Sequence, residues 1–358
     1  TGKGVAPGAK LLAVKVCSAV SGSCSGLALL QGVEFALDPN GDGDMSDAAD
    51  VFNLSLGASY GQKEDDLSFA LGNAVHFGVV VVASAGNSAD RPYIVGSPSS
   101  QPEVLSVAQT AVPTAKTFPL VINSPPSIAG VVRNTNTVEW APLGDSFTGD
   151  MVYVGRGCPA GSITGTNPPD PYLANPSGKV ALILRGACAV SLKVDRATKA
   201  GAIAVLIQNN VSGDPPSFSF GGGDLPMVPT LIITLQDGNT IRAALAAGDV
   251  VNVSVSDAVS IPLVGSMVAS SSRGPSYSYS AIKPEIGAPG ASISAIAGSG
   301  TGVEAFGGTS GAAPMVAGSA ALVLNAHPDY SPRDVKAVLV NTADANILIN
   351  PATQPGVL

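Results

Sequence analysis

The chain has 358 residues, 45% hydrophobic and only 12% charged, with 42 glycines, 28 prolines and a formal net charge of −8 at pH 7. That length exceeds one average domain, and the balance favours a compact, loop-rich globule over a disordered chain. An acidic chain without a basic cluster argues against nucleic acid as a partner, and no apolar run approaches the ~18 residues that a membrane helix requires. The opening Thr1-Gly2-Lys3-Gly4 carries neither an initiator Met nor a signal peptide, so an upstream segment is expected to have been lost by processing or truncation.

In chain order, residues 10–16 form an apolar run with β character, and Ser25 is placed to cap a helix through Leu37 whose Leu27, Leu30 and Val33 share a face. Residues 50–56 read as the next strand. Leu67, Leu71, Ala74 and Val75 mark a second amphipathic helix, and the valine run at 78–84 suits a strand covered on both faces. Strand alternating with helix predicts a parallel sheet with helices on both faces, an α/β class. From residue 111 to about 257 the texture changes to Pro- and Asn-rich stretches with short β runs. Within it, residues 178–207 read as strand, helix (191–200) and strand. The α/β pattern resumes near Ile261 and includes an Ala/Val/Leu helix over 312–324 and a last helix opened by Ser331-Pro332. The expected organisation is therefore one discontinuous domain, 1–110 and 259–358, with a second domain, 111–258, inserted into it.

Two features outside these elements point to chemistry or stabilisation. The loop from Asp38 to Asp47 places Asp38, Asn40, Asp42 and Asp44 at alternate positions with a glycine at the turn, as in the first half of an EF-hand loop. Ala49 stands where the closing Glu would be, so Asp47 or Asp50 would have to substitute, and the choice is between a calcium site and a solvated acidic turn. The four cysteines form two local pairs, Cys17/Cys24 and Cys158/Cys188, without metal-type spacing. Two disulfides in an oxidising compartment is the favoured reading over four buried thiols.

The strongest signal is residues 306–314, Phe-Gly-Gly-Thr-Ser-Gly-Ala-Ala-Pro. Glycines 307, 308 and 311 allow a tight turn and leave space around Ser310, and the helix that follows puts that hydroxyl at its N-terminus. Free N–H groups and the positive end of the helix dipole there favour the negative charge of an acyl-transfer transition state. In parallel α/β sheets ligands sit beyond the carboxyl ends of strands. The valine strand ends in Ser84-Ala85-Gly86-Asn87, whose Asn amide can donate to an oxyanion. The strand before it ends in Asn53-Leu54-Ser55-Leu56-Gly57, whose backbone can pair with an extended peptide. A serine nucleophile needs a base, and only His76 and His327 are present. His76 precedes the valine strand while Asn87 follows it, a separation of roughly 20 Å or more, and His327 lies about 25 Å along the helix from Ser310.

Together these segments resemble the subtilisin-like serine proteases, the subtilases. Gly4-Val5-Ala6-Pro7-Gly8-Ala9 resembles the stretch after the family's histidine motif. Residues 53–57 resemble the substrate-binding strand, 84–87 the oxyanion segment and 308–314 the nucleophile motif, with 270–275 and 283–290 matching two further family segments in the family's order. The resemblance implies that Ser310 attacks the scissile carbonyl and Asn87 stabilises the oxyanion. It also implies that Ser55, Leu56, Gly57, Ser84, Ala85, Gly86 and Thr309 line the substrate strand and P1 pocket, with no cofactor for catalysis and with protein or peptide substrates. Gly311 and Met315 depart from the usual Met and His. The family's Asp and His motifs, which precede the Gly4–Ala9 match, are absent, so the chain is expected to be an inactive fragment of a secreted, extracellular endopeptidase. The competing reading is a non-catalytic relative that keeps the groove as a peptide-binding or scaffold module. An α/β-hydrolase esterase is disfavoured because Ser310 is not in a G-x-S-x-G elbow.

Residues 178–188 and 193–202 resemble the protease-associated (PA) domain, with Val190 in place of the usual aromatic. That resemblance implies a small β-rich α+β lid that influences access or binds substrate or partners and carries no catalysis. Cys158 and Cys188 would staple two of its segments.

Overall fold

A computed structural model describes residues 4–350 apart from 22, 164–167, 219, 297 and 349; the opening Thr1-Gly2-Lys3 and residues 351–358 lie outside the described residues. The chain separates into two compact units. One comprises residues up to Pro113 and again from Gly265, and the other comprises Thr114–Val264 with Asn350.

The first unit opens with α1 (Gly26–Leu37), β1 (Val51–Leu54), α2 (Asp66–His76), β2 (Val80–Ser84) and β3 (Leu105–Thr110). The chain then builds the second unit. Its elements are β4 (Lys116–Thr117), β5 (Leu120–Ser124), β6 (Gly130–Val132), β7 (Thr135–Thr137), β8 (Phe147–Gly155), β9 (Val180–Leu184), α3 (Val190–Lys199), β10 (Ala204–Gln208), β11 (Thr230–Ile233), α4 (Leu235–Ala246), β12 (Asn252–Val255) and β13 (Ile261–Pro262). It returns to the first unit with β14 (Ile286–Pro289), β15 (Ser292–Ala295), β16 (Val303–Phe306), α5 (Thr309–Ala326) and α6 (Pro332–Thr342).

In the first unit the sheet runs β1-β2-β3-β14, every neighbouring pair parallel. All five residues of β2 are buried, and the two-residue period of a strand divides the valine run between two cores. Val80 and Val82 pack with Ala312, Ala313 and Val316 of α5 and Val335 of α6. Val79, Val81 and Ala83 pack with Val33 of α1 and Leu71 and Ala74 of α2. This is the expected α/β arrangement, a parallel sheet clad by helices on both faces. Local signals set the helix ends. Asp65 accepts from the Ser68 N–H to start α2, and Ser331 and Asp334 close a capping box with Pro332 in the first turn of α6.

Two expectations require correction. Residues 10–16 are not a strand: only Cys17 is bridged, to Cys24, and Leu11 stands 93% exposed. A run with β propensity becomes a strand only beside a partner, and among the described residues neither this run nor the outer edge of β1 has one. In α1, Ser25 occupies the N-cap but its side chain makes no capping bond, and Leu27 lies exposed instead of sharing the buried face of Val33.

The second unit has an eight-stranded sheet ordered β6-β5-β12-β8-β9-β10-β11-β7. The middle four strands, β8 to β11, are parallel, and the outer pairings are antiparallel. Helix α3 packs Val190, Val194 and Ala197 on one face against Ile183, Val205 and Ile207. Helix α4, which the periodicity did not reveal, packs Ile241 and Ala244 on the other against Leu182, Leu206 and Leu231. Both cysteine pairs are bonded, Cys17 to Cys24 and Cys158 to Cys188, the latter across a separation of 30 residues.

Candidate active site

Three chain segments meet at the carboxyl ends of β1 and β2. Ser310 is the second residue of α5, whose N-cap Gly308 has φ 82°, a left-handed conformation that suits glycine. A Cβ at Gly308 would lie 3.0 Å from the amide atoms of Asn87, and one at Gly311 would overlap the carbonyl oxygen of Gly290. Glycine at these two positions lets the nucleophile turn seat itself between its neighbours. The turn is also bolted to the end of β1. Ser310 Oγ donates to the carbonyl of Ser55 at 3.3 Å, and Ser55 Oγ donates to the carbonyl of Ser310 at 2.8 Å.

The Asn87 amide is held in one orientation. Its Oδ1 accepts from the Thr309 N–H at 2.9 Å and from the Thr309 hydroxyl at 3.1 Å. Because both partners donate to it, that end of the amide must be the oxygen. Asn87 Nδ2 is therefore the opposite end, and it carries no hydrogen bond to any described residue. Thr309 is fully buried, and its hydroxyl also accepts from the Gly86 N–H at 3.2 Å, tying the loop after β2 to the start of α5. The 270–275 motif supports the same loop from behind. Ser272 Oγ accepts from the Ser88 N–H at 3.1 Å, the Ser272 N–H donates to the Gly86 carbonyl at 2.9 Å, and Ser271 Oγ accepts from the Gln109 N–H at 3.0 Å.

A cavity of about 290 Å³ lies here, lined by Leu56, Gly57, Ala58, Ser59, Ser84, Gly86, Asn87, Ser88, Gly96 and Ser310. Of the residues singled out from sequence, Ser55, Ala85 and Thr309 stand outside this lining. Ala85 and Thr309 are completely buried, and Ser55 acts through its bonds to Ser310. Sequence reading missed Ala58, Ser59, Ser88 and Gly96. Ala58 and Ser97 bridge in antiparallel fashion, with N–H to O distances of 3.1 and 2.9 Å, and this brings Gly96 into the wall. A Cβ on Gly96 would come 2.8 Å from the Ala58 carbonyl oxygen, so its glycine was the one available signal.

A buried charge network fixes the segment under the nucleophile. Lys283 Nζ donates to the carbonyls of Gln101 at 2.8 Å and Val104 at 2.6 Å and pairs with Glu285 at 2.7 Å. Glu285 also pairs with Lys336 at 2.6 Å and accepts from the Ser106 N–H at 2.8 Å. These bonds hold β14 to β3, and β14 leads into Gly290. Burial pushes the Lys283 ammonium down to about 8.

Neither histidine reaches Ser310. His76 ends α2, before β2, and is exposed. His327 is the C-cap of α5, at the far end of 18 helical residues, and stacks on Tyr330 with ring centroids 4.4 Å apart. At 1.5 Å per residue that helix places His327 about 25 Å from Ser310.

In the acidic loop the oxygens face the loop's own backbone. Asp38 accepts from the N–H groups of Gly41, Asp42 and Gly43, Asn40 from Asp42, Asp42 from Asp44, and Asp44 from Ser46. Among the described residues no three His, Cys, Asp or Glu side chains converge on one point. No helix among them is long and apolar enough to cross a membrane.

The chain matches the family model Peptidase_S8, described as the subtilase family, over residues 1–356. It is 35% identical over 350 residues to the minor extracellular protease Vpr of Bacillus subtilis (strain 168), covering 95% of this chain and 40% of that protein. To the subtilisin-like protease SBT3.9 of Arabidopsis thaliana it is 28% identical over 361 residues, covering 96% and 43%. Among solved structures, the psychrophilic subtilisin-like protease Apa1 of Pseudoalteromonas sp. AS-11 is similar at 18% identity and TM-score 0.37, over 94% of this chain and 74% of that one. The chain thus spans about two fifths of the length of the curated relatives it matches.

Proposed function

The chain belongs to the subtilase family, and on that premise we propose that it carries the nucleophile, the oxyanion donor and the substrate walls of a secreted serine endopeptidase. The observation that carries the reading is the Asn87 amide, whose oxygen is held by Thr309 while its N–H₂ end stays free beside the first turn of α5, which carries Ser310. In this reading Ser310 Oγ attacks the scissile carbonyl carbon and passes its proton to a base. The oxygen that becomes negative receives an N–H of Asn87 Nδ2 and a backbone N–H at the start of α5. Collapse of the tetrahedral intermediate expels the amine and leaves an acyl-enzyme on Ser310, which water hydrolyses. The substrate lies as an extended strand along residues 55–57, its P1 side chain in the cavity walled by Ser84, Gly86 and Gly96. Catalysis needs no cofactor.

The base is supplied from outside the described residues, because neither His76 nor His327 reaches Ser310. The edge of β1, unpartnered among the described residues, is consistent with a further strand in the assembled enzyme. The insert, 111–258, is proposed as a PA domain that binds substrate or partner without taking part in the chemistry. An extracellular location is part of this proposal, supported by the two disulfides and by the extracellular relative. A structural calcium ion is proposed at Asp38, Asn40, Asp42 and Asp44 with Asp47 as a substitute for the closing Glu, supported by the alternate spacing of the first four and by Gly41 and Gly43 at φ 75° and 84°. Titrating Ca²⁺ into chelated protein should raise the melting temperature, and an unchanged value rejects the ion.

The experiment for the catalytic assignment uses the full-length parent polypeptide with a peptide substrate. Ser310→Ala should abolish hydrolysis. Asn87→Ala should lower kcat by about 10²–10³, the loss known for this donor in subtilisin and carried over by family membership, with KM little changed. Hydrolysis that survives Ser310→Ala overturns the reading.

A further inference from the structure

A cavity of about 640 Å³ lies between α4 and β8 in the second unit. Met151, Val152, Leu245 and Ala246 give it mostly apolar walls, and Arg242 supplies its one cation. The Arg242 guanidinium lies over the Tyr153 ring, 4.5 Å from the centroid. It makes no ion pair or hydrogen bond with any described residue. Stacking of this kind orients the planar fork while leaving its N–H donors unused. Beside it, Asn239 Oδ1 is occupied by the Gln208 amide N–H at 2.8 Å, which leaves the Asn239 N–H₂ as a further donor.

The strand that forms one wall is only partly covered. β12 pairs with β8 as far as Asp150, and the Met151 N–H still bonds the Val251 carbonyl at 2.7 Å. Beyond that point no strand among the described residues lies along this edge at Val152 and Tyr153, until the Leu173 N–H meets the Val154 carbonyl at 3.4 Å. A short open strand edge can accept an extended peptide by β-addition. An unused guanidinium in apolar surroundings selects a carboxylate, which it can grip bidentately.

We propose that this groove binds the C-terminal end of an extended peptide, the terminal carboxylate on Arg242 and an apolar last side chain against Met151 and Leu245. One cation among apolar walls matches a single carboxylate next to an apolar group, which a chain terminus combines in one residue. A run of acidic side chains fits less well, because the chain's net charge of −8 repels it. The assignment does not depend on the reactivity of Ser310, since every residue it uses lies in the other unit.

The test is fluorescence polarisation with fluorescein-labelled heptapeptides ending in Leu, Val or Phe, using the full chain with Ser310→Ala to keep the peptides intact. Each peptide is compared as free acid, as C-terminal amide, and as amide with an internal Asp. The free acid should bind at least about tenfold more tightly than either amide, and Arg242→Gln should remove that difference while the circular dichroism spectrum stays unchanged. Equal affinity of acid and amide, parity of the Asp-bearing amide, an unaltered Arg242→Gln profile, or no binding by any of the peptides overturns the proposal.

Discussion

Thr309→Val removes one buried hydroxyl and almost no volume, so it isolates the clamp that orients Asn87. The hydroxyl makes two hydrogen bonds, one given to Asn87 Oδ1 at 3.1 Å and one received from the Gly86 N–H at 3.2 Å. Each neutral bond contributes about 0.5–1.5 kcal/mol, so the two together contribute about 1–3 kcal/mol, and the Gly86 N–H left without its acceptor keeps the loss off the low end, at about 2 kcal/mol. For a unit of this size each kcal/mol moves the melting temperature by about 2–4 °C, so a fall of about 4–8 °C is expected by circular dichroism. Thr309→Ser keeps both bonds and loses only a methyl, so it should fall by less. Under the proposed mechanism, Thr309→Val should lower kcat more than it raises KM, because the loosened amide still admits substrate but no longer presents Nδ2 to the oxyanion. A melting temperature within about 1 °C of wild type, or Thr309→Ser as damaging as Thr309→Val, would refute the clamp.

Replacing Cys158 and Cys188 together by alanine should lower stability by about 3–4 kcal/mol through lost loop closure over a separation of 30 residues. Urea unfolding followed by Trp140, the one tryptophan, reads this directly because Trp140 packs in that unit's core, and an unchanged midpoint would contradict it. Lys193 is wholly buried, its Nζ gives one hydrogen bond, to the Arg156 carbonyl at 2.6 Å, and burial pushes it down to about 8. Between about pH 8 and the ordinary lysine value of 10.5 the unfolded chain holds more protons than the folded one at this position, so stability should rise with pH across that window. Lys193→Met should remove that slope and leave the protein at least as stable at pH 7; a steeper slope or a large loss at pH 7 would show that the ammonium is favourably paired.

Much of the fold was legible because it rests on local periodicity. The valine run became a fully buried strand, and the Ala/Val/Leu run became α5. Residues 10–16 failed because strand formation depends on a neighbour, and propensity cannot report whether one is there. Helix α4 was missed because its apolar contacts are few, chiefly Ile241 and Ala244, and its first turn is polar. At the site, Ser310 and Asn87 were readable from the glycines and strand ends around them. The contacts that hold Asn87 in place were not. Thr309 was expected at the cavity surface and is instead the buried fastener of Asn87, while Gly96 enters the wall only through the pairing of Ala58 with Ser97, a contact between segments without shared spacing.

The central claim is that Ser310 is a nucleophile whose base lies outside the described residues. Labelling this chain with a serine-directed phosphonate, alongside the Ser310→Ala variant, tests it most directly. The account predicts no labelling above that control, whereas strong modification of Ser310 would mean that these residues already contain a base and would contradict it.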